Sequence, residues 1–175
     1  MHSFRTARFG ELTYAERDVI TLPEGLVGLP HLRQWILLDM GPGLPLKWMQ
    51  SVNDGNFGLP VTTPDYFDQD YAPRLPEETA RRLGGSPADM VTLIITTVHP
   101  GGERLTGNLA APVVVQPGTR KGAQLVLDDQ RWPLRQEMDY VRFGLAAQAG
   151  AAEAAGPPAG LIAATPEGER QEIAL

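Results

Sequence analysis

The stretch LTGNLAAPVVVQPGTRKGAQLVL, Leu105 to Leu127, decides how the rest of this chain is read. It contains two β-type runs, NLAAPVVVQ and GAQLVL, joined by the compact basic turn PGTRKG. Pro117 presets φ near −65°, and Gly118 and Gly122 take positive φ without a Cβ penalty, so the turn follows from its residues. Val113, Val114 and Val115 are β-branched and favour a pleated backbone, and three in succession point to burial on both faces. The expectation is a hairpin whose strands, Val113–Val115 and Leu125–Leu127, form core.

Outward from this hairpin, 16 prolines and 19 glycines in 175 residues divide the chain into short pieces. That pattern predicts a mainly β fold, a compact antiparallel barrel or sandwich with one or two short helices. Phe4 to Tyr14 reads as an opening hairpin around Gly10, with Phe4 and Phe9 as core anchors. Gln34–Asp39 reads as a buried strand. Leu46 to Val52 alternates, placing Leu46, Trp48, Gln50 and Val52 on one side. Phe57–Thr62 is a further strand, and Pro60 within it predicts an edge or a bulge. Asp89–Val98, DMVTLIITTV, is the longest β-rich run and the expected central strand. One clear helix starts at Pro76, with acids first and Arg81 and Arg82 last, and stops at Gly84-Gly85. Pro133–Phe143 has a helical look. Residues 144–175 are rich in Ala, Gly and Pro, a composition that buries too little surface to offset chain entropy. The expected division is therefore a domain over 1–143 and a flexible tail over 144–175.

Composition restricts function. A net charge of −6 disfavours direct binding to nucleic acid. Without cysteine there is neither a disulfide framework nor a thiolate zinc site. There is no signal-type apolar segment and no run long enough to span a membrane. His2, His31 and His99 lie in no metal-ligand spacing, and no nucleophile elbow, phosphate loop or dinucleotide fingerprint is present. The acid-rich loop Pro64–Pro73 lacks the glycine and closing glutamate of a calcium loop. No catalytic residue, metal or cofactor is expected. Three features stand out as binding candidates. The apolar loop PEGLVGLP, with Leu26, Val27 and Leu29, either packs onto the core or waits for a partner. Gln50 beside Trp48 is either a satisfied half-buried amide or a polar contact within an apolar patch. Arg120 and Lys121 form either a solvated turn or a carboxylate contact.

Five pieces in order carry a resemblance to a known family: FGE at 9–11, ITLPEGLVGLP at 20–30, WMQSVND at 48–54, VTTPDYF at 61–67 and NLAAPVVVQPGTRKGAQLVL at 108–127. Spanning roughly residues 4–135, they resemble the flagellar assembly factor FliW family. The chain departs from that pattern at Gln116, where Asn is usual, at Gly58 and Pro60, and in the Ala-rich extension. The resemblance implies a non-catalytic β-barrel-like protein of the bacterial cytoplasm, monomeric on its own, that binds flagellin and the post-transcriptional regulator CsrA. It further implies that CsrA represses flagellin translation at the mRNA leader. The family protein antagonises CsrA allosterically, away from its RNA surface, once export of flagellin has freed it. The residues expected to meet partners are Leu26, Val27, Leu29, Trp48, Gln50, Asn108, Arg120 and Lys121. Two rival readings are a small-molecule-binding barrel, which predicts a deep polar-lined pocket, and an oligonucleotide-binding barrel, which predicts aromatics interleaved with basic residues.

Overall fold

The computed structural model of the chain describes residues 1–41, 44–101 and 104–139. It contains eleven strands and one α-helix: β1 (His2–Thr6), β2 (Gly10–Tyr14), β3 (Ile20–Thr21), β4 (Gln34–Asp39), β5 (Lys47–Ser51), β6 (Gly58–Thr62), α1 (Glu77–Leu83), β7 (Val91–Val98), β8 (Leu105–Gly107), β9 (Val113–Gln116), β10 (Lys121–Gln124) and β11 (Gln136–Glu137). Strands β7-β6-β5-β4-β3-β10-β9 follow one another, and β9 pairs back onto β7, so these strands close into a barrel. A ring with an odd number of strands cannot be antiparallel throughout. The parallel step falls at β3–β10, held by the single register pair Thr21↔Lys121. The other pairings in the ring are antiparallel, as expected.

Side-chain alternation sends one residue set inward from these strands. Ile20, Trp35, Leu37, Met49, Val61, Leu93, Val113 and Val115 fill the barrel together with Leu22, Leu26 and Leu32. β10 contributes the absence of a side chain. A Cβ on Gly122 would lie 2.7 Å from the Val114 carbonyl and 2.8 Å from Leu22 Cδ2. Val114 faces the other way, and α1 packs over β9 and β10 with Ala80 and Leu83 buried. The valine triplet is thus buried on both faces. α1 ends at Gly84 in the left-handed conformation (φ 95°), as its sequence predicts. A second apolar layer outside the barrel joins Phe67, Ile94, Leu105, Leu109, Trp132 and Met138.

β7 is the longest strand and the organising one. One edge pairs with β6, and the other takes β9 at Val91–Leu93 and β8 at Thr96–Val98. The segment 105–116 is therefore not one continuous strand. Between β8 and β9, Asn108 to Pro112 places five residues against only Ile94 and Ile95 of β7, so the chain loops out. Leu125–Leu127 likewise lies beyond β10. It stays extended because the Leu125 and Leu127 amides donate to the Pro112 and Ala110 carbonyls (2.9 and 2.8 Å), yet Val126 is exposed rather than core.

Three further expectations are corrected. Pro60 lies inside the barrel wall, not at an edge. It sits just where the β6–β7 ladder ends, and the Thr96 hydroxyl donates to its carbonyl (3.0 Å) in place of a backbone bond. Phe4 and Phe9 are half-buried on the separate β1–β2 hairpin, stacked edge-on against Tyr14 and Trp48, rather than core anchors. Pro133–Met138 is not helical. Gln136 and Glu137 pair with Gly107 and Thr106, and Met138 is buried in the outer layer. The rest of that stretch, the domain boundary at 143 and the proposed tail lie outside the described residues.

Candidate functional site

The apolar loop takes mainly the packed course. Leu26 and Leu29 exchange backbone hydrogen bonds (3.3 and 2.8 Å), closing a tight turn over Val27 and Gly28. Gly28 (φ 82°) supplies the positive φ, and a Cβ on Gly25 (φ 69°) would stand 2.5 Å from the Leu29 carbonyl. Leu26 is buried in the barrel interior and Leu29 packs against it, so neither presents a free surface. Val27, at the tip, is 68% exposed. The loop is a plug with one exposed apolar residue.

Gln124 anchors that plug, and sequence reasoning missed it. Its Oε1 accepts from the Val27 amide (2.8 Å) while its Nε2 donates to the Ala111 carbonyl (3.1 Å). The Asn108 Oδ1 accepts from the Ala111 amide (3.0 Å), holding the loop-out between β8 and β9 in shape. Leu109 donates to the Pro133 carbonyl (3.0 Å) and accepts from the Tyr71 hydroxyl (2.7 Å). Burial pushes the Tyr71 phenol far above its ordinary range. Val27 and Asn108 are thus brought into one locality through Gln124. The available signal was parity: Gln124 is paired with Val113 and sits two residues from Gly122, on the inward side, where a long amide must find partners.

Arg120 and Lys121 lie at the other end of β10. Arg120 adopts φ 55°, a left-handed conformation, and its carbonyl accepts from the Thr21 amide (2.8 Å), where the parallel step begins. Its Nη1 is buried without a hydrogen-bond partner. Gln116 accepts from the Thr119 amide (2.6 Å) through Oε1, so the departure from Asn still serves the turn. Lys121 is exposed.

Trp48 and Gln50 are not an open face. The indole Nε1 donates to Gln50 Oε1 (3.1 Å), and Gln50 Nε2 donates to the Phe57 and Ser51 carbonyls (2.8 and 3.1 Å). Gln50 is buried, and the β1–β2 hairpin stacks on this side through Phe9 and Arg8, the latter 4.4 Å from the Trp48 ring. A Cβ on Gly58 would lie 2.3 Å from the Trp48 Nε1, which explains a glycine in that strand. Gln50 is a satisfied internal amide.

Chemically, the surface offers recognition rather than reaction. The His99 ring Nε2 lies 3.0 Å from the Thr106 hydroxyl in a half-buried strand-end contact. The barrel interior is occupied by side chains, so the deep pocket required of a small-molecule barrel is not found there.

The sequence profile described as FliW protein matches residues 3–138. The chain belongs to the FliW family. It is 31% identical over 134 residues to the flagellar assembly factor FliW of Syntrophus aciditrophicus, covering 76% of this chain and 85% of the relative. Against the same factor from Symbiobacterium thermophilum, identity is 36% over 123 residues, covering 69% and 89%. The fold is similar to a crystal structure of the flagellar assembly factor FliW, with a TM-score of 0.71 and 25% identity over 78% of this chain and 96% of that one. The FliW family is named for assembly rather than catalysis, and no described helix is long and apolar enough to cross a membrane.

Proposed function

We propose that this chain is a non-enzymatic flagellar assembly factor of the cytoplasm that binds flagellin and, in its absence, the translational regulator CsrA. Bound to CsrA, it acts allosterically and relieves repression of flagellin mRNA. The observation that carries the reading is the FliW-family match across residues 3–138, which spans the whole barrel. Two properties of the molecule support it. A barrel packed with side chains leaves its outer surface to do the work. A net charge of −6 suits a protein that acts on an RNA-binding partner without touching RNA. Val27, Asn108, Arg120 and Lys121 remain as partner contacts in this reading; Leu26, Leu29 and Gln50 act by shaping the surface, and Trp48 by anchoring the β1–β2 hairpin.

Pull-down of purified flagellin and CsrA by the full chain tests the binding, and a flagellin-leader reporter translated in vitro tests the consequence. Both proteins are captured, CsrA represses the reporter, the chain restores translation, and added flagellin restores repression. Capture of neither partner overturns the proposal. A direct shift of leader RNA by the chain without CsrA favours the oligonucleotide-binding reading instead.

A further inference from the structure

Beyond β10 the chain remains a strand with one side unused. The Leu125 and Leu127 amides point to the loop-out and bond the Pro112 and Ala110 carbonyls. In an extended segment the intervening residue directs its backbone groups the opposite way. The Val126 N–H and C=O have no partner among the described residues, and its side chain is 72% exposed. β3 covers that edge of β10 only at Lys121, further back.

A groove of about 490 Å³ runs along this segment, with Gln124 to Leu127 on one side and Pro73, Arg74 and Pro76 on the other. The far wall does not close onto the edge, and its composition explains why. Neither proline has an N–H to donate, so the wall cannot zip up as a neighbouring strand. Arg74 is exposed and makes no ion pair among the described residues, whereas Arg131 nearby is held by Asp129 through two nitrogens (2.7 and 3.0 Å). An unpaired edge, an exposed β-branched side chain and an uncommitted guanidinium line one groove.

We infer that this groove receives an extended peptide segment of a protein partner, which adds as a strand to Val126, with an apolar side chain beside Val126 and a carboxylate at Arg74. Backbone pairing supplies the attraction, and the two side chains select among segments. A helix does not fit this role, because its own backbone groups are already paired and leave those of Val126 unmet. The inference rests on the proposed function for the identity of the partner, flagellin or CsrA.

Val126→Pro tests it in the full chain. The substitution removes an N–H that the fold does not use and suits an extended φ, so the barrel stays intact, checked by circular dichroism. Val126→Thr keeps the N–H and the β-branched shape. Affinity for flagellin and for CsrA is measured by titration with the full-length proteins. At least one affinity falls tenfold or more with Val126→Pro and changes less than threefold with Val126→Thr, and the Val126 amide gains protection from hydrogen exchange in that complex. Wild-type binding of both partners by Val126→Pro overturns strand addition while leaving the proposed function standing. Equal losses in the two variants also overturn it, because side-chain packing would then explain the contact. If the unmodified chain binds neither protein, the proposed function and this inference fall together.

Discussion

Arg120 is the one non-glycine residue of positive φ among those described, and its guanidinium Nη1 is buried without a partner. A left-handed backbone costs an L-residue about 1–2 kcal/mol, and an orphaned buried donor adds to that. Glycine removes both costs, at the expense of the packing of the arginine stem. Arg120→Gly is therefore expected to raise Tm by roughly 2–4 °C, corresponding to about 1 kcal/mol in a chain of this size, measured by thermal unfolding. A fall in Tm would show that the stem, not the strain, dominates. Tyr71 gives a prediction of a different kind. Its hydroxyl donates to the Leu109 carbonyl, and burial raises its folded pKa above the ordinary phenol value of 10.0. The neutral phenol's contribution is thus complete below pH about 10 and declines as pH rises beyond that, because the unfolded state releases its proton first. Tyr71→Phe is expected to be less stable than the parent at pH 8 by about 1–2 kcal/mol, from the unmet Leu109 carbonyl. That gap narrows at pH 11 in urea titrations; a constant gap would contradict the assignment.

The loop-out from Asn108 to Pro112, the plug Gly25 to Leu29 and β10 act together through one side chain, Gln124. Removing its amide frees the Val27 N–H and strands the Ala111 carbonyl. Gln124→Ala is expected to cost about 1–3 kcal/mol. It also speeds hydrogen exchange at Val27 about tenfold while exchange at Val114 slows or holds relative to global unfolding. Unchanged exchange at Val27 would detach the plug from this contact. The same elements mark how far local chemistry reaches. The valine triplet, the PGTRK turn and the Gly84 stop are legible because neighbours in sequence determine them. The loop-out is not, because the chain leaves β7 there for contacts from Tyr71, Gln124 and Pro133 that are remote in sequence. Pro133–Met138 misleads for the same reason: its backbone is fixed by Thr106 and Gly107, not by its own propensity. The candidate site suffers most. Gln50 looks like a surface amide until the β1–β2 hairpin folds over it, and Gln124 and Val126 attract no notice until one is seen holding the plug and the other facing a groove.

For the molecule as a unit, the question is how much chain the fold requires. The barrel interior draws its buried residues from Ile20 to Val115, and the outer layer draws its own from Phe67 to Met138. Ring closure depends on β7–β9 and the parallel step on Thr21↔Lys121, both well within that span. The family match also ends at residue 138. Residues 144–175, with their Ala, Gly and Pro, offer few side chains able to extend either apolar layer. A chain shortened to residues 1–143 is accordingly expected to fold with the same near-ultraviolet circular dichroism and a Tm within about 1 °C of the full chain, since less than about 0.5 kcal/mol is removed. It also captures the same partners in the pull-down. A Tm lower by several degrees would place part of 144–175 inside the folded unit and move the domain boundary. Intact stability with loss of one partner would instead assign the extension to recognition, and the groove beside Val126 would then be tested in both lengths of chain to separate the two contributions.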